Sequence, residues 1–254
     1  MIQDASPIVA NSVLPAQREP LTLQTQDGVT LVAELALPMD TPPLATIICV
    51  HPLPTHGGMM DSHVLRKMAW RLPALANIAI LRFNTRGTTS AAGTSTGHFD
   101  EARGEQLDVA AAVAYVADLG LPKPWLVGWS FGTDVILKYG ASDSQRLAQI
   151  HGAILLSPPL RHTTDEELSV WASNGTPLIC LVPELDDYLP AEPARQRFAT
   201  VPQANVIVVD QARHLWVGER FVRIVLDAIT AIVVPERAPL PGEWSGPMTR
   251  WSDL

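Results

Sequence analysis

Cysteine is scarce in this 254-residue chain: there are two, Cys49 and Cys180. Each sits inside an apolar run, which argues against a disulfide framework and for two small core residues. No basic cluster or aromatic-basic stripe occurs, and the formal net charge is -8. A surface of that sign repels phosphate backbones and anionic membranes, so neither nucleic acid nor membrane is expected as a partner. No apolar run reaches the roughly 20 residues of a membrane-spanning helix. The first 20 residues lack the basic stretch and apolar core of a secretion signal, so a cytoplasmic protein is expected. What remains is an ordinary globular composition, long enough to bury one large core.

Two apolar stretches, Leu21 to Thr25 and Val29 to Leu35, flank Asp27-Gly28 and predict a hairpin. Beyond it the pattern changes to continuous apolar runs, the mark of strands covered on both faces. They start at Thr46, Ile78, Trp125, Gly152, Leu178 and Val206. Helical segments lie between most of them, clearest at Val64 to Leu75 and Glu105 to Leu119, and Phe221 to Val233 closes the series. Alternation of this kind predicts an α/β fold with a mainly parallel sheet, helices on both faces and an N-terminal antiparallel hairpin. Residues 1–20 read as an N-terminal extension, 21–234 as the α/β domain and 235–254 as a tail rich in Pro, Gly and Trp. Exposed tryptophans are costly, so Trp244 and Trp251 predict a tail packed on the domain or on a second subunit, as in a homodimer.

The run Gly128-Trp129-Ser130-Phe131-Gly132 reads G-x-S-x-G between the apolar Trp125-Leu126-Val127 and a helix-like segment beginning at Thr133. A strand turning sharply into a helix presents the serine at the tip, and the crowded turn leaves no room for a Cβ on either side. A serine hydroxyl is a poor nucleophile at neutral pH and needs a base, which in turn needs an acid to orient it. The expected order is serine, acid, histidine, each at a strand end. His214 follows the run Val206 to Val209 and is the base candidate. Asp186 follows Leu178 to Val182 and is the chosen acid, with Asp187 and Glu184 as neighbouring alternatives. Two donors must meet the oxyanion left by attack. One is the Phe131 N–H. The other is Leu53 N–H, the first after His51 in a loop where Pro52 and Pro54 have none. His51, His56 and His63 lack the cysteines or acidic spacing of a metal site, so no metal is expected.

With Arg82-Phe83-Asn84-Thr85-Arg86-Gly87, Ser90, Gly93 and Gly104-Glu105-Gln106-Leu107-Asp108, these residues resemble a group of small, lidless prokaryotic α/β hydrolases. The similarity runs from about Leu21 to Val233. It implies the α/β-hydrolase fold, with Ser130 as nucleophile, Asp186 as acid, His214 as base, and Leu53 and Phe131 as oxyanion donors. Arg82 and Arg86 are expected to brace the loops against Glu105 and Asp108. Only Ser157 to Gly175 separates two strands where larger hydrolases of this fold insert a lid, room for a short helix at Asp165 to Ala172.

An open site follows, with Trp129, Trp171 and Trp216 as candidates to line an apolar acyl pocket. For Trp129 and Trp171 the competing expectation is core packing. The expected activity is hydrolysis of carboxylic esters with small or medium acyl groups, through an acyl-enzyme and with no cofactor. Thioesters, amides or peptides would engage the same residues. The alternative is a noncatalytic module that binds a small molecule in the same pocket.

Overall fold

A computed structural model describes residues 5–253. Eight strands form the central sheet: β1 (Gln17–Gln24), β2 (Thr30–Leu37), β3 (Ala45–Val50), β4 (Ile78–Phe83), β5 (Pro124–Trp129), β6 (Gly152–Leu156), β7 (Leu178–Leu185) and β8 (Ala204–Arg213). Their spatial order is β8-β7-β6-β5-β3-β4-β2-β1. The pairs β1–β2 and β2–β4 are antiparallel and the rest parallel. The expected hairpin is therefore the antiparallel edge. Its first strand starts at Gln17 rather than Leu21, because it stays in register with β2 back to the pair Gln17↔Leu37.

Alternation along the strands explains the two cores. In β3, Ala45, Ile47 and Cys49 face one side, while Ile48 and Val50 face the other. The second side is covered by α2 (Glu105–Asp118), α3 (Phe131–Ser142), α4 (Asp165–Asn174) and α5 (Ala191–Phe198). The first is covered by α1 (His63–Ala76) and α6 (Glu219–Val233). Helix α4 begins with a capping box, Thr164 accepting from Glu167 N–H and Glu167 accepting from Thr164 N–H. No lid domain stands between β6 and β7: one ten-residue helix, α4, fills that interval. Among the described residues no helix is long and apolar enough to cross a membrane.

The two chain ends pair with each other. Ser6–Pro7 runs antiparallel to Glu243–Trp244, and Ser12–Val13 to Thr249–Arg250. Trp251 then lies against Trp70 of α1, ring centroids 6.0 Å apart, with the Arg66 guanidinium over both indoles.

Candidate active site

The sharp turn after β5 has a backbone signature. Ser130 sits at φ 53°, ψ -120°, a region that costs of order 1–3 kcal/mol for a non-glycine residue and persists where surrounding structure enforces it. That enforcement is visible on both sides. A Cβ on Gly132 would fall 2.2 Å from the Val50 carbonyl oxygen, and one on Gly128 would fall 2.6 Å from the Gly132 oxygen. The helix α3 thus packs directly on the end of β3. Phe131 is its first residue, so its N–H is among those with no intrahelical acceptor.

The partners of Ser130 come from the next two parallel strands. β7 and β8 run beyond the apolar segments visible in sequence, through an irregularity after Pro183, to the pair Leu185↔Arg213. The next residue on each strand, Asp186 and His214, therefore emerges beside the other. The Ser130 hydroxyl lies 2.8 Å from His214 Nε2. His214 Nδ1 lies 2.9 Å from Asp186 Oδ2 and 3.1 Å from Oδ1. A neutral imidazole between a carboxylate and a hydroxyl carries its proton on Nδ1 and accepts at Nε2. Asp186 is buried, and its Oδ1 also accepts the Tyr188 N–H at 2.8 Å. The other acids of this loop go elsewhere: Asp187 is exposed, and Glu184 accepts the Gln211 N–H.

The backbone of His214 is held from behind. Its carbonyl accepts the Trp129 indole N–H at 3.1 Å and the Ser157 hydroxyl at 3.0 Å. This corrects the expectation that Trp129, Trp171 and Trp216 line an acyl pocket. All three are buried in the core. Trp171 donates to the Leu137 carbonyl under α3, and Trp216 sits among the side chains of the α1–α6 layer. Indoles this large bury most area when packed on the sheet, which outweighs a place at an open wall.

A cavity of about 170 Å³ opens over Ser130. Leu53 and Phe131 are in its wall, as are Tyr188 and Leu215, neighbours in sequence of Asp186 and His214. Arg161 and His162, on the loop after β6, complete it. Sequence reasoning missed those two. The available signal was their place after a strand's carboxyl end, where ligands bind in open α/β sheets. Asp134, one turn beyond Ser130, lies at the buried base. Its Oδ1 accepts from His162 N–H and the Thr163 hydroxyl, and burial pushes its carboxyl above the usual range.

The R-F-N-T-R-G run braces the loops around this cavity. Arg86 pairs with Asp108 as expected: Nε at 3.0 Å and Nη2 at 2.8 Å both donate to Oδ1, and the Arg86 backbone N–H donates to Oδ2 at 2.8 Å. Arg82 does not join Glu105. It pairs with Glu34 and Asp61, while Glu105 accepts the Asp100 N–H. Strand alternation is the reason: Arg82 projects from the sheet toward α1, away from α2. The three histidines of the β3–α1 region also diverge. His51 is buried, its Nε2 accepting the Thr85 N–H at 3.0 Å and its Nδ1 lying 2.7 Å from the Pro52 carbonyl. His63 bonds to the Trp216 carbonyl, and His56 lines the cavity.

No family model matches the sequence, and no curated protein matches it. Solved structures do. A serine hydrolase without a lid from Xanthomonas campestris is 25% identical, with a TM-score of 0.69, over 89% of this chain and 98% of that one. An α/β serine hydrolase homologue from Coxiella burnetii is 23% identical, with a TM-score of 0.66, over 86% and 96%. An esterase from Pyrococcus furiosus is 18% identical, with a TM-score of 0.68, over 91% and 94%. The chain has the α/β-hydrolase fold in its lidless form.

Proposed function

We propose that this protein is a serine hydrolase of carboxylic esters with small or medium acyl groups. The observation that carries the reading is the continuous relay from Ser130 Oγ through His214 to Asp186, with both links at 2.8–2.9 Å. That the solved neighbours include serine hydrolases and an esterase supports hydrolase chemistry. In this reading His214 Nε2 takes the Ser130 proton as Oγ attacks the ester carbon. Asp186 stabilises the imidazolium, and the Leu53 and Phe131 N–H groups receive the oxyanion. His214 then gives its proton to the leaving alkoxide. Water, deprotonated by the same imidazole, attacks the acyl-enzyme and releases the acid.

The test is labelling with a fluorophosphonate probe beside Ser130→Ala and His214→Ala. Label on the wild type, lost in both variants, is the expected result. A folded wild type that takes no label and turns over no ester would overturn the reading in favour of a binding module.

A further inference from the structure

The chain carries more acids than bases, yet the accessible charge at the cavity mouth is positive. Arg161 lines the cavity and is exposed, and its ion-pair partner is absent among the described residues. The acids nearby are not available to it. Asp134 is fully buried and tied to the 162–163 backbone and hydroxyl, and Asp186 is buried behind His214.

Arg161 is also held in place. Its guanidinium lies 4.7 Å from the Tyr188 ring centroid, and that ring lies 4.3 Å from the His214 imidazole. Tyr188 is anchored in turn by its N–H on Asp186 Oδ1. The loop beneath is pinned at both ends, by the Ser157 hydroxyl on His214 O and by His162 N–H on Asp134. Leu160, just before Arg161, is at φ 49°, a strained conformation for a bulky residue, and such strain collects at ligand clamps. A planar cation preorganised over an aromatic ring, with its edge free, is suited to a carboxylate.

We propose that Arg161 is a specificity-determining residue that selects esters bearing a carboxylate at the far end of the acyl or alcohol arm. The proposal rests on the hydrolase reading above. Guanidinium and substrate carboxylate pair at the mouth, with the Tyr188 ring between the guanidinium and the reacting imidazole, while the ester carbonyl reaches Ser130.

The experiment compares chain-length-matched esters by pH-stat. Monomethyl glutarate against methyl valerate places the carboxylate on the acyl arm, and 4-acetoxybutyrate against butyl acetate places it on the alcohol arm. Monomethyl succinate and monomethyl adipate vary the reach. For at least one arm, wild type is expected to favour the acidic ester in kcat/KM by about tenfold or more, an advantage that shrinks with added salt. Arg161→Gln should cut that ratio at least tenfold, Arg161→Lys should keep part of it, and Arg161→Glu should favour the neutral ester. Turnover without discrimination, or a ratio that Arg161→Gln leaves within twofold, would sink the proposal while leaving the hydrolase reading intact. If no ester is turned over and no fluorophosphonate label is taken, the hydrolase reading fails. Calorimetry of glutarate against valerate on wild type and Arg161→Gln then decides Arg161 separately: equal affinities overturn it, and a glutarate preference lost in the variant supports carboxylate recognition.

Discussion

Asp186 faces His214 with both carboxylate oxygens, at 2.9 and 3.1 Å from Nδ1, while its neighbour Asp187 points to solvent. Asp186→Asn should therefore lower kcat by about 10³–10⁴-fold, since the amide no longer holds the imidazole in the tautomer that accepts from Ser130. Asp187→Asn should stay within about threefold of wild type. Steady-state kinetics on a simple ester, with circular dichroism to check folding, distinguishes them. Equal losses would reassign the acid.

Trp129 acts on the site from behind, through its N–H on the His214 carbonyl. Trp129→Phe keeps most of the volume and removes one hydrogen bond of about 1 kcal/mol. We expect a loss of about fivefold in kcat with the acyl-chain profile unchanged. Leu53→Ala or Tyr188→Ala should instead shift that profile, because these residues line the cavity. A changed chain-length optimum in Trp129→Phe would return that indole to the pocket wall.

His51 makes folding sensitive to mild acid. Burial lowers its pKa to about 4 from the ordinary 6.5. Its Nε2 accepts a backbone N–H, so a proton there has no acceptor. The unfolded chain binds that proton first, so stability is full above pH 6.5 and falls as the pH drops toward 4. The loss reaches roughly 3 kcal/mol. Urea midpoints at pH 7, 5.5 and 4.5 should fall in that order. His51→Gln should flatten the slope, and an unchanged slope would exclude His51 as its source.

Both cysteines are buried thiols. Burial pushes Cys49 up to about 12 and Cys180 well above its ordinary value. Reactivity belongs to the thiolate, so a disulfide reagent should find no fast-reacting thiol in native protein and two after denaturation. Rapid native labelling of either would show that the sheet opens locally.

Much of this molecule is legible in the sequence by itself. The apolar runs and intervening helical segments determine a mainly parallel sheet, because a strand buried on both faces has no polar side to display. The Gly128–Gly132 run determines the turn at Ser130, because only glycine leaves space for the Val50 and Gly132 carbonyls. The order Ser130, Asp186, His214 determines which residues lie at strand ends. What the tertiary structure alone decided is how those ends meet and what surrounds them. Asp186 is the choice of the sequence but has Asp187 and Glu184 as rivals beside it, and the pairing Leu185↔Arg213 brings Asp186 to His214. Arg82 reads like Arg86, yet strand alternation sends it to Glu34 and Asp61. Trp129 and Trp171 read equally as pocket or core aromatics and Trp216 as a pocket candidate, and the face each element turns to the core buries all three. Arg161 carries no motif at all; its position depends on contacts with Tyr188 and Asp134, residues distant in sequence. Local patterns encode elements, whereas a cavity wall is assembled from loops whose side chains meet only after the sheet has formed.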